Sequence, residues 1–276
     1  MVRNWVMVES IWRYPLKSAQ GEPVPQVFIG ADGPAGDRTW ACISADGMIV
    51  SAKHPRRWGR MLHVIAVLLT ARQGGGVLIW VPGAEPLRAG TAAADDALSD
   101  WLGERVRLTT EVPAQARLHR LWPTEPGMMP EWAGAAAGAE EISTISGAAA
   151  GGRFVDFGAV HLVTTSALAE LESDGVPADV RRLRPNLVLT LDREPAPGDR
   201  IRVGPDVTLR VLVPTPRCAV PGAAQPGLAS APGLLRAIGR RRVEIPGLGR
   251  AACVGSYAQV LAPGTVTVGD LADVSS

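Results

Sequence analysis

Apolar residues run along this chain in short stretches separated by turn residues. Between residues 5 and about 110, stretches rich in β-branched side chains at 24–29, 40–43, 64–70 and 77–81 alternate with Ala-Asp-Gly at 31–33 and 45–47, three glycines at 74–76, and Pro82-Gly83. Short strands with turn signals at that spacing predict a β meander or small barrel. One stretch breaks the pattern. Residues 91–101 have an acidic start and helix formers, with Leu98, Trp101 and Leu102 on one side, which predicts a short helix.

The pattern fades after a proline-rich run at 122–130. Residues 132–152 are mostly alanine, glycine and serine, with only Glu140 and Glu141 charged. So little apolar mass reads as a mobile loop or linker. A second region resumes at Phe154. Residues 160–164 read as a strand, and Thr165 or Ser166 is placed to cap a helix through Ala167, Leu168 and Leu171 that ends near Asp174-Gly175. Further strands are expected at 186–191, 200–203, 207–213 and 258–261, with Gly269-Asp270 closing the pattern. The predicted fold class is mostly β (α+β). It comprises a β-barrel-like N-terminal domain over 1–110, a connecting segment over 111–152, and a second β domain with a few short helices over 153–276.

Composition narrows the classes without choosing among them. The chain has 276 residues, 46% of them hydrophobic and 20% charged, and a net charge of +1. That balance supplies a full core and no global pull towards nucleic acid or membrane, so a basic site must be local. The first residues carry Arg3, Asn4 and Glu9 where a leader would be apolar, and no run of about 18 uncharged apolar residues occurs, so a cytoplasmic protein is expected. Cys42, Cys218 and Cys253 are an odd number with no CxxC pair, which suggests neither a disulfide framework nor a structural zinc site. His54, His63, His119 and His161 are too dispersed along the chain to read as a local metal motif.

The candidate chemistry centres on Val-Leu-Val-Pro-Thr-Pro-Arg-Cys at 211–218, where a β-type run leads into a proline- and glycine-rich loop. A thiolate is a soft metal ligand and a good nucleophile, and a neighbouring guanidinium favours it, although a lone cysteine in an apolar run is more often an inert core residue. Lys17 and Ser18 in Tyr-Pro-Leu-Lys-Ser could meet a phosphate or simply sit in a solvated turn. Arg38 in Gly-Asp-Arg-Thr-Trp could grip an oxyanion, with a pair to Asp37 the favoured alternative. In Arg181-Arg182-Leu183-Arg184-Pro185-Asn186 the proline is expected to hold Arg184 extended beside an asparagine that can donate and accept. Three arginines in four residues with no adjacent acid call for an anion, or else form a solvated basic turn. The basic stretch 53–60 interleaves charge with Trp58 and reads as a surface loop or the rim of an anion site rather than a nucleic-acid strand. His161, in an apolar run, reads as a satisfied core histidine rather than a base.

Taken in order, these pieces resemble the MOSC family, the molybdenum cofactor sulfurase C-terminal domain, preceded by its N-terminal β-barrel partner. The matching segments are Tyr-Pro-Leu-Lys-Ser at 14–18, Gly-Asp-Arg-Thr-Trp at 36–40 and His-Leu-Val-Thr-Thr-Ser-Ala-Leu at 161–168. Arg-Arg-Leu-Arg-Pro-Asn at 181–186, Pro-Arg-Cys at 216–218 and Pro-Gly-Thr-Val-Thr-Val-Gly-Asp at 263–270 complete them. They span nearly the whole chain. In relatives similar to the mitochondrial amidoxime-reducing component the cysteine ligates molybdenum and basic residues hold the phosphorylated pyranopterin. The resemblance therefore implies Cys218 as metal ligand and catalytic residue, with Lys17, Ser18 and Arg38 holding the molybdenum cofactor (Mo-molybdopterin) from the barrel side. From the other side it implies Thr164, Thr165, Arg184, Asn186 and Arg217.

The implied function is a molybdenum-cofactor-binding oxidoreductase acting on a small N-oxygenated or sulfur-containing substrate. A separate electron-donating reductase is the expected partner, since no flavin, haem or iron–sulfur motif is visible; no nucleic acid and no membrane are expected. One departure matters. The reducing relatives continue after the cysteine with threonines and an aspartate, whereas this chain reads Ala219-Val220-Pro221-Gly222-Ala223-Ala224-Gln225-Pro226. That loop favours an alternative in which Cys218 acts without molybdenum, as a nucleophile or persulfide carrier in sulfur transfer or carbon–sulfur bond chemistry.

Overall fold

The computed structural model describes residues 6–144, 152–173 and 175–276. Its first half contains β1 (Val6–Arg13), β2 (Glu22–Pro23), β3 (Gln26–Gly30), β4 (Gly33–Pro34), β5 (Ala41–Ser44), β6 (Met48–Ile49), helix α1 (Pro55–Trp58), β7 (Ile65–Leu68), β8 (Val77–Trp80), β9 (Leu87–Arg88), helix α2 (Ala92–Leu102), β10 (Val106–Thr109), β11 (Arg117–Leu121) and β12 (Glu140–Thr144). The second half contains β13 (Val160–Thr164), helices α3 (Thr165–Ser173) and α4 (Val180–Leu183), β14 (Leu187–Leu189), β15 (Arg200–Val203), β16 (Val207–Pro216), α5 (Pro232–Arg240), β17 (Arg242–Ile245), β18 (Gly249–Ala262), β19 (Gly264–Thr267) and β20 (Leu271–Ser275).

In the second half the strand order β13-β14-β1-β20-β15-β16-β18 returns to β13, which closes a seven-strand barrel. Closure leaves no free edge, and alternate side chains fill the interior. In β15, Ile201 and Val203 point inward between exposed Arg200 and Arg202, and the facing Val207, Leu209 and Val211 of β16 do the same. Burying each such side chain is worth about 1.5–3 kcal/mol.

β1 belongs to this barrel although it opens the chain. It pairs with β14 and β20 and buries Val8 and Ile11 in the second core, and β3 pairs with β19. The unit expected over 1–110 thus gives its first strands to the C-terminal barrel, because pairing follows which apolar faces fit and not nearness along the chain.

Apart from β2 and β4, which pair with β1 and β3, the remaining N-terminal strands form a five-stranded sheet, β10-β5-β6-β11-β12, and a three-stranded one, β7-β8-β9, around a core with Leu16, Trp58, Met61, Ile79 and Leu98. The predicted helix is α2. Thr91 caps it by accepting from the Ala94 amide at 3.3 Å, and Gly103 ends it in the left-handed region at φ 72°. Part of the alanine-rich stretch is a strand, since β12 pairs along its length with β11; 145–151 of the expected loop lie outside the described residues. Among the described residues no helix is long and apolar enough to cross a membrane.

Candidate functional site

A cavity of about 430 Å³ lies where the two halves meet, lined by Lys17, Ser18, Arg38 and Lys53 from one side and His161, Arg184, Asn186, Arg217, Cys218 and Tyr257 from the other. Every residue expected at the site lines it except Thr164 and Thr165. The Thr164 side chain is used locally. Its hydroxyl lies 2.9 Å from that of Ser166 and accepts from the Ala167 amide at 3.2 Å, so it starts α3, a role the sequence reading gave to Thr165 or Ser166.

Backbone strain gathers in the same wall. Ser18 (φ 65°), Arg38 (φ 49°) and Arg184 (φ 56°) are the non-glycine residues with positive φ among the described residues, and all three line the cavity. Each costs on the order of 1–2 kcal/mol in an L-residue, and such residues cluster where a side chain must be aimed against its preference. Arg184 was expected extended before Pro185; instead it adopts the left-handed cap of α4, its amide donating to the Val180 carbonyl. That position is usually a glycine's.

The charges are arranged by burial and by who shares them. Arg38 pairs with the buried Asp37, as the sequence favoured, and also donates to the Arg184 carbonyl at 3.1 Å. Burial opposes its charge, and Asp37 more than offsets that. Lys17 does not present a free ammonium. Its Nζ donates to the Phe154 carbonyl and to Asp156 Oδ1, both at 2.9 Å, and Lys53 reaches the same oxygen at 3.0 Å. Burial lowers the Lys17 pKa against the pull of Asp156; burial alone would raise the Asp156 carboxyl, but the two lysines hold it well below the usual range. Arg181 also has an acid that the sequence reading overlooked, Asp179, at 2.7 Å.

Arg184 and Arg217 have no carboxylate within salt-bridge distance among the described residues. The Arg184 guanidinium donates once, to the Ala19 carbonyl at 2.7 Å, and stacks 4.4 Å from the centroid of the Tyr14 ring; burial, then Arg38, pushes its pKa down to about 10. Most of its five donors are thus left for a ligand. Arg217 is locked instead. It donates to the Val254 carbonyl from Nε and Nη2, to Leu183 O from Nη1, and to His161 Nε2 at 2.9 Å, and burial lowers its pKa.

That lock settles His161. Its Nε2 accepts from Arg217, so Nδ1 carries the proton and donates to the Arg184 carbonyl at 3.1 Å. The ring is buried and satisfied, as expected of a core histidine, and burial plus Arg217 hold its pKa well below 6.5. The folded state therefore resists protonation while the unfolded chain accepts it. Stability should be full above about pH 6.5 and fall as pH drops from there through the folded value. In thermal melts between pH 7.5 and pH 5, His161→Gln is expected to lose part of the wild type's decline; an unchanged slope would contradict the assignment.

Cys218 follows directly from β16, whose last pairs with β18 are Pro214 with Ser256 and Pro216 with Cys253. It is half-buried, whereas Cys42 and Cys253 are buried in cores, their thiols pushed up by that burial, to about 12 for Cys253. The loop after it turns through Val220–Gly222 and is held by Arg182, whose Nη1 donates to Pro221 O at 3.1 Å and Ala223 O at 2.9 Å, and whose Nη2 donates to Ala229 O at 2.5 Å. Sequence reasoning did not single out Asp156 or Tyr257, and it weighed Arg182 only as one of three clustered arginines that call for an anion, whereas its guanidinium is spent on loop carbonyls. Asn186 is a positioning residue as well: its Oδ1 accepts from the His161 amide and its Nδ2 donates to Trp12 O.

The basic stretch 53–60 divides. Lys53 reaches the cavity, whereas Arg57 pairs with Glu104 and Asp46 and Arg60 stacks on Trp101. The dispersed histidines are partly gathered, since the rings of His54 and His119 have centroids 4.3 Å apart.

Two family models match the chain. The MOSC N-terminal beta barrel domain matches residues 5–111 and the MOSC domain matches residues 151–272. No curated protein matches. Among solved structures, the YUAD protein from Bacillus subtilis is similar over 98% of this chain and 94% of its own at 15% identity and a TM-score of 0.42. YiiM from Geobacillus stearothermophilus is similar over 43% of this chain and 55% of its own, at 20% identity and a TM-score of 0.32.

Proposed function

The chain belongs to the MOSC family and carries that family's N-terminal β-barrel domain on the same polypeptide, and from that premise we propose that it is a molybdenum-cofactor-binding oxidoreductase with Cys218 as the metal ligand. MOSC domains are associated with molybdenum cofactor binding in general. One observation carries the reading. A half-buried thiol shares a cavity with Arg184 and Arg217, two half-buried guanidiniums that lack a carboxylate among the described residues. A soft sulfur donor beside uncompensated positive charge fits a metal–pterin bearing a phosphate, because arginine forks match phosphate oxygens and buried charge needs a counter-charge.

In this reading Arg184 offers its free donors to the phosphate, and Ser18 adds a hydroxyl whose oxygen already accepts from the Ala52 amide at 3.0 Å. Arg217 contributes a fixed charge more than donors. Lys17, Lys53 and Asp156 form a net-positive cluster on the same wall, with only Lys17 buried, and Asn186 and His161 accept from Arg38 and Arg217 and hold them in place. The cofactor supplies the two-electron redox chemistry when bound, and the chain supplies binding, orientation and electrostatics. The substrate would be small and N-oxygenated or sulfur-containing, with electrons from a separate reductase.

The apolar loop favours a second reading, sulfur transfer or carbon–sulfur chemistry by Cys218 without molybdenum, since Val220 and Pro221 line the cavity where polar neighbours would serve a reductase. Metal analysis of protein from a molybdate-fed host separates the two. Near-stoichiometric molybdenum with pterin phosphate is expected; none, together with a persulfide or an alkylatable thiol at Cys218, would replace the first reading by the second.

A further inference from the structure

Behind the cavity wall, three groups that the proposed function does not use converge. His54 Nε2 lies 3.3 Å from Glu140 Oε1, and His119 Nε2 lies 3.0 Å from Glu140 Oε2. The potential ligand atoms of the three residues lie within 4.8 Å of one another, the one such group among the described residues. Two nitrogens and a carboxylate at that spacing are a set for a borderline divalent ion such as zinc, with a position left open.

A second observation points to a ligand. His54 is 4% exposed, yet its Nε2 has no hydrogen-bond partner, although Glu140 is near, and His119 Nδ1 is also buried without one. Buried polar atoms are normally satisfied, so the orphan Nε2 of His54, beside Glu140 and His119 Nε2, marks a missing partner; the unpaired His119 Nδ1 is not one of the ligand atoms. The elements are also set for the task. His54 caps α1, His119 sits in the middle of β11, and Glu140 opens β12 on the solvent side, where an ion can enter. Trp58 packs edge-on to both rings, with centroids at 6.2 Å, and restrains them.

We propose that His54, His119 and Glu140 form a divalent transition-metal site that ties β11 and β12 to α1. Both histidines bind through Nε2. In His54 the proton must then sit on Nδ1, which now accepts from the Arg57 amide at 3.2 Å; that amide keeps the His54 carbonyl as its other acceptor, also at 3.2 Å. Lys53, next to His54, and Leu118 and Arg120, on either side of His119, line the large cavity. The ion would therefore fix one wall of that cavity from behind, whatever the cavity binds.

Zinc titration of the metal-stripped full chain, followed by elemental analysis and thermal melts, tests this. Wild type is expected to bind one zinc per chain and to melt higher with it, and cobalt substitution should give visible d–d bands. Glu140→Gln, at an exposed position of β12, and His119→Gln should each weaken zinc binding at least about tenfold. Cys218→Ser should bind zinc like wild type. The proposal is overturned if wild type has no saturable site, if the Glu140 and His119 variants bind as wild type does, or if Cys218→Ser abolishes the site.

Discussion

Cys218→Ser, made in a host that synthesises molybdenum cofactor, is expected to lose bound molybdenum and turnover together. Loss of partners that only touch a metal's ligands costs about 10- to 100-fold in affinity or activity, and loss of the thiolate ligand should cost no less. The fold should survive, because Cys218 is half-buried and makes no core contact on which the barrel depends. Cys253→Ala is the control. Cys253 also lies near Arg217, but it is buried in the wall of β18 with its thiol pushed up to about 12, so it should leave the molybdenum content unchanged. The measurement is molybdenum per chain by elemental analysis, with melting temperature recorded alongside. Full molybdenum in a Cys218→Ser or Cys218→Ala protein would remove the ligand assignment.

Why the cysteine could be found in the sequence, and its neighbours only partly, has a physical explanation. Chemistry confined to adjacent residues was legible: β16 leads straight into Arg217 and Cys218, and Arg38 pairs with Asp37 next to it. Chemistry made by distant segments was not. Asp156 neutralises Lys17 from a loop far along the chain, and nothing around Lys17 announces it. The strands 160–164 and 200–203 were legible because alternation and β-branching are local. The inclusion of β1 in the C-terminal barrel was not, since register depends on the partner strand.

Composition misled in two places. Gly233 and Gly239 with Pro232 hid α5, which is helical because Leu234, Leu235 and Ile238 pack on the third core. Alanine and glycine around β12 hid a strand that β11 stabilises. Arg184 shows the opposite limit. The residue lines the cavity, but its conformation was not legible, because the helix end it caps outweighed the preference imposed by Pro185.

Arg182 carries the second large expectation. It is 5% exposed, and from α4 it donates to three carbonyls of the segment that follows Cys218, those of Pro221, Ala223 and Ala229. Ala219 to Ala224 offers no polar side chain, and the one further side-chain tie is the Ser230 hydroxyl, which donates to the Gly222 carbonyl at 3.3 Å. Truncation to methionine keeps the stem's apolar packing but strands the acceptors, each at a cost of about 1–3 kcal/mol where water cannot replace the donor. With partial rehydration, Arg182→Met should destabilise the protein by about 3–5 kcal/mol, less than the full sum for three stranded acceptors. For a chain of this size that corresponds to a melting temperature lower by roughly 5–15 °C. The same change frees the loop, so Cys218 in the still-folded protein should react faster with a thiol reagent than in wild type. An Arg182→Met protein that melts within about 2 °C of wild type would show that the loop is held by its own turn at Val220–Gly222 and by the packing of Gly222 against Leu235, and not by the guanidinium.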